Sequence, residues 1–167
     1  SSSEKPLQGC GVRYLGTANY RLLASPAFAE QFFPDGLNEE AIAKAPSIAF
    51  ERSDELNNKY YRLALGHMPK HFPVGYAPSS HLFVHLVLSG LGYGSLPDDQ
   101  SREYRESGAL VELVPGKPLP VDLYWHCWNI KSGLLERFSK ALIKAAKELL
   151  PQREQRGSMV QGQGEDQ

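Results

Sequence analysis

Apolar residues follow two different spacings along the chain. Short continuous apolar runs, typical of buried strands, alternate with stretches in which apolar residues recur every three or four positions, as they do in helices. The strand-like runs lie at residues 12–23, 47–50, 91–96, 110–114 and 121–128. Ser25 and Asn38 are predicted to cap helices, and Gly66 is predicted to end one. This alternation predicts an α/β fold with helices on both faces of a sheet.

The clearest unit lies in the middle of the chain. Pro78 biases the preceding residue towards an extended conformation, so a helix can begin just after it. Ser79 or Ser80 then suits the N-cap, because a hydroxyl accepts from the first free backbone N–H groups. Gly90 is predicted to end this helix in the left-handed conformation. Residues 91–96 are short, apolar and rich in glycine, which predicts a buried parallel strand beside a ligand cleft.

The last predicted helix has an apolar stripe without an obvious partner. The stripe consists of Leu134, Phe138, Ala141, Leu142, Ala145 and Leu149. This helix follows the final strand, when the other units already form a closed set. It is therefore expected either to fold back on the same sheet or to have its partner outside this chain. Residues 151–167 are polar and aperiodic, and are interpreted as a tail.

Composition narrows the class of protein. The 167 residues suit one domain or two small lobes, and the formal net charge is −1. A balanced charge argues against a nucleic-acid-binding surface of the chain's own. Cys10 and Cys127 form neither a CxxC pair nor a disulfide framework, which favours a reducing compartment. With no apolar run of membrane-spanning length and no signal peptide, a soluble cytoplasmic protein is expected.

Two histidine pairs at i, i+4 spacing are the main candidates for metal chemistry. His67 and His71 flank Pro69 and fall in a predicted loop, whereas His81 and His85 fall on a predicted helix. Neither pair has the glutamate of an HExxH zinc site, so solvated histidines are the favoured interpretation. The sequence predicts no metal, no cofactor and no enzyme. A small metal-dependent hydrolase that uses these histidines is the alternative.

Four segments carry a resemblance to a known family. They are LASPAFAEQFFPDGLNEEAIAKAPSIAFERSDE, SSHLFVHLVLSGLGYGSLP, SGALVELVPG and LYWHCW. Together they resemble the effector-binding domain of LysR-type transcriptional regulators, with the greatest likeness to the lysine- and arginine-responsive ArgP (IciA/LysG) branch. The resemblance covers roughly residues 2–150.

The resemblance implies a periplasmic-binding-protein-like fold of two α/β lobes with a small effector between them. Residues 1–19 would be the crossover from the first lobe, 20–125 the complete second lobe, and 126–150 the return segment and helix of the first lobe. The chain would then lack a helix-turn-helix domain and the first half of the first lobe. The unpartnered final helix would belong to that missing lobe.

The resemblance also implies a set of effector contacts, mostly hydroxyl groups at crossovers and helix starts. The matching positions are Ser2, Ser3, Tyr20, Pro78, Ser79, Ser80 and Tyr93. Hydroxyls at a helix start suit an amino-acid carboxylate. The alternative for Ser79 is a role as N-cap only, and the alternative for the two tyrosines is a place in the aromatic core. A basic amino acid would need an acidic partner, for which Asp122 is only a weak candidate.

The function implied is that of an effector-sensing and oligomerisation domain. Its expected partners are lysine or arginine and further copies of the chain. DNA would be bound only through a helix-turn-helix domain outside this chain, and no membrane is involved. Effector binding would favour one lobe arrangement and so change how the oligomer presents its DNA-binding domains. A solute-binding transport protein shares this fold but would need an export signal.

Overall fold

A computed structural model describes residues 1–130 and 132–153 of the chain. The strands are β1 (Cys10–Ala24), β2 (Ser47–Ala49), β3 (Val74–Tyr76), β4 (Gly94–Pro97), β5 (Val111–Glu112) and β6 (Leu119–Trp128). The helices are α1 (Pro26–Phe32), α2 (Glu39–Lys44), α3 (Leu56–Leu65), α4 (Ser80–Leu88), α5 (Asp98–Glu106) and α6 (Gly133–Leu149). None of these helices combines the length and apolar character needed to cross a membrane.

The chain divides into two compact units. Unit 1 consists of Ser1–Thr17 with Asp122–Gln167, and unit 2 of Ala18–Val121. The chain therefore passes between units within β1 and again within β6, two and four residues earlier than the sequence-based boundaries. Most of the predicted polar tail, from residue 154 onwards, lies outside the described residues.

The strands of unit 2 form a parallel pair and an antiparallel group, and a single parallel bridge joins the two. β2 pairs in parallel with β3, and Tyr93 forms a parallel bridge to Ser47 from the residue just before β4. β4 and β5 pair antiparallel with β1, so β1 lies between them. Gly94 is required where β4 approaches β2, because a Cβ there would lie 2.7 Å from the Ile48 carbonyl oxygen. The predicted α/β fold is confirmed.

Two apolar clusters form the core of unit 2. The first centres on the aromatic residues Phe28, Phe33, Tyr60, Tyr61 and Tyr93. The second contains Leu23, Ile48, Phe83, Val87, Leu96 and Leu110. Leu23 and its neighbour Leu22 belong to different clusters, because successive side chains of a strand point to opposite faces.

Short-range capping bonds fix most helix ends where the sequence predicts them. The Asn38 side chain accepts from the Ala41 N–H at 2.9 Å at the start of α2. The Ser25 hydroxyl accepts from the Phe28 N–H at the start of α1. Gly66 ends α3 with a φ of 80° in the left-handed region. These ends depend on residues within four positions of each other, which explains why the sequence pattern located them.

The prediction of a parallel strand at residues 91–96 was wrong in extent and in its main pairing. The strand begins only at Gly94, and its ladder with β1 is antiparallel. The Leu91 N–H bonds to the Leu86 carbonyl and the Gly90 N–H to the Val87 carbonyl, so Leu91 is held in the turn that ends α4. The Leu91 side chain is exposed, unlike that of a residue in a buried strand. The strand predicted at 110–114 is likewise reduced to β5.

Unit 1 is built from the outer parts of β1 and β6 together with α6. The partly or fully buried positions of α6 and its caps are Ser132, Leu135, Ser139, Leu142, Ile143, Ala146 and Leu150. The predicted apolar stripe lies beside this face and is mostly exposed. Leu134, Phe138 and Leu149 are 72%, 55% and 81% exposed. Phe138 contacts the Trp125 ring on one side, with ring centroids 5.7 Å apart. Helix α6 thus has a packed apolar face and a second apolar face that the described part of unit 1 covers only in part.

Candidate functional site

Three helices of unit 2 begin at one edge of its sheet. β2, β3 and β4 run in the same direction, so their carboxyl ends lie at this edge, and α3, α4 and α5 follow them. We call it the carboxyl edge of unit 2. Tyr20 joins it from β1, because it is paired with Pro97 at the end of β4. In open α/β sheets, ligands bind at the carboxyl ends of the strands.

The start of α4 presents hydroxyls to solvent at the carboxyl edge. Pro78, Ser79 and Ser80 are all exposed. The Ser79 hydroxyl accepts from the Leu82 N–H at 3.4 Å, so Ser79 is the N-cap. The Ser80 hydroxyl makes no hydrogen bond to any residue of the described chain. Because the first N–H groups of a helix carry partial positive charge, this position suits an anion such as a carboxylate.

Tyr20 is half-buried at the carboxyl edge. Its pKa is raised first by burial, and then by the carboxylates of Asp99 and Asp54. Its carbonyl accepts a hydrogen bond of 2.9 Å from the Tyr60 hydroxyl, which holds β1 against α3. The strand that carries Tyr20 is thus held in place by a hydrogen bond from α3.

Tyr93 has the contacts of a core residue. Its side chain has no exposed surface, and its hydroxyl lies 2.8 Å from the Tyr61 hydroxyl. Burial raises its pKa, so it stays neutral at any physiological pH. Of the two alternatives that the sequence left open for Tyr93, the structure shows the packing of a core aromatic.

Ser2 and Ser3 belong to unit 1 and are exposed. The Ser3 hydroxyl accepts from the Lys5 N–H at 3.2 Å, and the Ser3 carbonyl lies 2.7 Å from His126 Nε2. Asp122, the weak candidate for an acidic partner, is in the same unit. Its carboxylate accepts hydrogen bonds from Arg153 and Thr17, and these bonds lower its pKa.

Two carboxylates at the carboxyl edge were missed by the sequence interpretation. Asp54 lies in the loop after β2, and Asp99 lies in the first turn of α5. The sequence showed Asp99 only as a favourable charge at a helix start. Its nearness to Tyr20 depends on the pairing of β4 with β1, which a local pattern cannot reveal.

The histidine pairs do not assemble a metal centre. His81 and His85 are exposed on α4, and His67 and His71 are exposed in the loop after α3. Within residues 1–130 and 132–153, no three histidine, cysteine or carboxylate side chains are grouped so that they can hold a metal ion. Nothing in the described chain therefore supports the hydrolase alternative.

Comparison with known proteins shows which family the chain belongs to. No family model matches it. A solved structure of the C-terminal domains of a LysR family protein from Agrobacterium tumefaciens is 35% identical. It superposes with a TM-score of 0.85 and covers 92% of this chain and 73% of that one. The chain belongs to the LysR family.

Two further relatives point to one branch of the LysR family. The HTH-type transcriptional regulator ArgP of Pseudomonas fluorescens is 39% identical over 149 residues, which are 89% of this chain and 50% of ArgP. Full-length LysG of Corynebacterium glutamicum, solved with bound effector Arg, is 27% identical with a TM-score of 0.75. The match covers 90% of this chain and 50% of LysG. The chain thus spans about half the length of the curated relatives it matches, and these relatives are transcriptional regulators, not enzymes.

Proposed function

We propose that this chain senses a basic amino acid, arginine or lysine, as the effector-binding domain of a LysR-type transcriptional regulator. The observation that carries the proposal is its likeness to LysG, whose structure holds arginine as effector. The carboxyl edge of unit 2 supports it independently, since exposed hydroxyls at a helix start and nearby carboxylates suit the opposite charges of an amino acid.

The proposed contacts in unit 2 are those at the start of α4 and on β1. Ser79 and Ser80 bind the effector carboxylate with their hydroxyls and the N–H groups of the first turn. Pro78 holds the chain extended up to the N-cap, and Tyr20 contributes its ring and hydroxyl. Tyr93 acts indirectly, by packing the segment before β4 against the aromatic core.

Ser2 and Ser3 are the proposed contacts from unit 1. Both are exposed, and the Ser2 side chain makes no hydrogen bond to the described residues, so its hydroxyl is accessible. The Ser3 hydroxyl already accepts from Lys5 and keeps its own proton to donate. A donor of this kind suits a carboxylate oxygen.

The proposed mechanism is a population shift. An effector with different affinity for two arrangements of the regulator moves the equilibrium between them by that difference in binding free energy. Within the complete regulator, this shift would alter how the DNA-binding domains are presented in the cytoplasm. DNA binding itself is assigned to a helix-turn-helix domain, as the description of the ArgP relatives suggests.

We also propose that the protein acts as a homo-oligomer. The exposed apolar face of α6, formed by Leu134, Phe138 and Leu149, supports this. Burying a large apolar side chain contributes roughly 1.5–3 kcal/mol, so a contact between copies that covers this face is favourable.

Calorimetry tests the effector proposal. Protein expressed from its complete reading frame is titrated with arginine, with lysine and with glutamate. We expect arginine or lysine to bind and glutamate not to bind. The Ser79→Ala/Ser80→Ala double variant should bind at least tenfold more weakly, since it loses two hydroxyls at the carboxylate, each worth about 1 kcal/mol.

The control for this experiment is Ser107→Ala, which removes an exposed hydroxyl at the C-terminal end of a different helix, α5. It should bind like the wild type. Absence of binding by the wild-type protein to either basic amino acid would refute the proposed effector. Unchanged affinity in a folded double variant would leave Ser79 as a helix cap only.

A further inference from the structure

The residues that follow α6 lie against the two strands that connect the units. These connecting strands, β1 and β6, pair with each other. The Thr17 N–H of β1 donates to the Pro151 carbonyl at 2.8 Å, and the Gln152 side-chain amide donates to the Leu15 carbonyl at 3.1 Å. We call residues 150–153 the strap. The sequence interpretation treated most of this segment as a polar tail, because contacts so distant along the chain leave no local signal.

The strap also reaches β6, through one side chain. Arg153 Nη2 donates to Asp122 Oδ2 and, at 2.9 Å, to the Tyr124 hydroxyl. The Arg153 guanidinium lies over the Tyr14 ring of β1, 4.8 Å from its centroid, and a cation in this position is attracted to the aromatic face. Arg153 therefore contacts both connecting strands.

Gly16 of β1 leaves room for the strap. Its φ of 151° is one that residues with a side chain rarely adopt. A Cβ at this position would overlap the Leu150 Cβ and would lie 3.0 Å from Gln152 Nε2. The close approach of the strap to β1 therefore requires glycine here.

The contacts of the strap are concentrated where the chain leaves unit 1. Thr17 is the last residue of unit 1 on β1, and Asp122 is the first on the return along β6. The strap bonds to both residues, and the Thr17 hydroxyl donates to Asp122 Oδ1 at 2.6 Å. The connecting strands cannot separate at this point unless the strap opens as well.

We propose that the strap holds the two connecting strands side by side where they leave unit 1, and that its opening lets them move separately. Arg153 and Gly16 are the positioning residues, because one supplies bonds to both strands and the other supplies the space. The strap is thus a conformational device of unit 1, and it acts whatever ligand the protein binds.

A purely stabilising role for residues 150–153 is the competing explanation. In that case these residues would detach only when unit 1 unfolds as a whole, and weakening them would affect all of unit 1 equally. A strap that opens by itself exposes little surface, so low concentrations of urea hardly change its opening, whereas they promote global unfolding. Hydrogen exchange distinguishes the two cases.

The experiment measures hydrogen exchange of single amides at several low urea concentrations, without ligand, on protein expressed from the complete reading frame. The Thr17 amide reports on the strap, since it bonds to the strap. The Asn129 amide bonds to the Gly9 carbonyl far from the strap and reports on the rest of unit 1. The Ile48 amide bonds to the Tyr93 carbonyl and reports on unit 2.

Two variants weaken the strap in different ways, and each has a matched control. Arg153→Ala removes the bonds to β6, and Arg137→Ala removes an exposed arginine of α6 that forms no ion pair within residues 1–130 and 132–153. Gly16→Ala adds a Cβ that collides with the strap. Gly108→Ala adds one at a φ of 78° where no atom of the described residues lies within 4 Å.

We expect the Thr17 amide of the wild type to exchange at a rate that low concentrations of urea do not change. Arg153→Ala should raise this rate about fivefold, as expected for the loss of a half-exposed ion pair and a hydrogen bond. Gly16→Ala should raise it about tenfold, because the collision displaces the strap. Exchange at Asn129 and Ile48 should not change, and both controls should match the wild type.

Three results would overturn the proposal. Equal acceleration of Thr17 and Asn129 in Arg153→Ala would show that residues 150–153 only stabilise unit 1 as a whole. A wild-type Thr17 rate that rises with urea as the Asn129 rate does would show the same. Unchanged Thr17 exchange in the strap variants would show that neither residue holds the strap. If Gly16→Ala does not fold, Arg153→Ala alone decides. Because no ligand is present, the result is independent of the proposed effector.

Discussion

The Thr17 hydroxyl donates a hydrogen bond of 2.6 Å to Asp122 Oδ1. Thr17 is the last residue of unit 1 before the chain enters unit 2, and Asp122 is the first after the chain returns. Tyr14 lies 2.7 Å from the Thr17 hydroxyl, and Arg153 pairs with the other Asp122 oxygen. The two strands that connect the units are thus tied together by one carboxylate at the boundary of unit 1.

This arrangement predicts a pH dependence of stability. The hydrogen bonds from Arg153 and Thr17 lower the pKa of Asp122 below its ordinary value in the unfolded chain. A carboxyl group with a lowered folded-state pKa stabilises the protein above its unfolded-state pKa, near 3.9, and loses that contribution as the pH falls through the folded-state value. Asp122→Asn should therefore be less stable than the wild type at pH 7, with the difference vanishing in strong acid.

Urea unfolding at several pH values between 7 and 2.5 measures this difference. The control is Asp35→Asn, which alters an exposed carboxylate without a hydrogen bond to the described residues. Its difference from the wild type should not change with pH. A difference for Asp122→Asn that stays constant down to pH 2.5 would show that the carboxylate charge is irrelevant to stability.

The buried Asn57 side chain is predicted to be a large contributor to the stability of unit 2. Its amide donates to the Ile48 carbonyl at 2.7 Å and accepts from both the N–H and the hydroxyl of Ser95, at 3.0 and 2.8 Å. It thereby joins α3 to β2 and β4. Asn57→Ala leaves these buried groups without partners and should lower the free energy of unfolding by about 3 kcal/mol.

Asn58→Ala is the matched control, because Asn58 is the neighbouring residue on α3 and forms no side-chain hydrogen bond within the described chain. It should change the free energy of unfolding by less than about 0.5 kcal/mol. Chemical denaturation compares the two variants. Equal losses in the free energy of unfolding would mean that the Asn57 hydrogen bonds stabilise the fold no more than the Asn58 side chain does.

Ser79 and Ser80 are predicted to differ in their effect on stability. Only Ser79 caps α4, so Ser79→Ala should cost up to about 1 kcal/mol, whereas Ser80→Ala should cost almost nothing. Thermal unfolding of the ligand-free single variants measures this. A larger loss for Ser80→Ala would contradict the assignment of the N-cap.

Phe138→Glu is predicted to dissociate the oligomer. The wild-type chain should be larger than a monomer in light scattering, because the exposed face of α6 is then covered, and a charge in the middle of that face should prevent the contact. Lys147→Gln changes the net charge by the same amount on another side of α6 and should leave the mass unchanged. A monomeric wild type with an unchanged, folded Phe138→Glu variant would contradict the proposed contact.

The 167-residue chain by itself should not bind duplex DNA appreciably. Its net charge of −1 argues against strong binding to the phosphates. A gel-shift titration at low salt is the strictest measurement, since low salt strengthens phosphate contacts. Retention at submicromolar concentration would show a DNA-binding surface in this part of the protein.

Much of the local structure could be predicted from the sequence. The caps at Ser25 and Asn38 and the left-handed turn at Gly66 were found because each depends on side-chain and backbone groups within four residues. The cap of α4 was narrowed to Ser79 or Ser80, and the structure shows that it is Ser79. The α/β alternation was also visible, since it is a property of apolar spacing. The LysR resemblance was visible for a similar reason, because four short sequence segments carry it.

The candidate site was only partly visible in the sequence. Ser79 and Ser80 could be located because a helix start has a local signature. The role of Tyr93 could not be decided, because its hydroxyl partner Tyr61 is 32 positions away and is brought there by the packing of α3. Asp99 was recognised as a charge at a helix start, but its position beside Tyr20 follows from the pairing of β4 with β1.

The difference between local signals and long-range contacts also explains the two incorrect strand predictions and the packing of α6. Residues 91–93 are apolar enough for a strand, yet a backbone bond to α4 keeps Leu91 in the turn that ends the helix. In α6 the sequence determined an amphipathic helix with more apolar surface than one face needs. Only the tertiary structure decided which face packs, because that choice depends on distant partners such as Trp125 of β6, which donates to Ser139, rather than on apolar spacing along the helix.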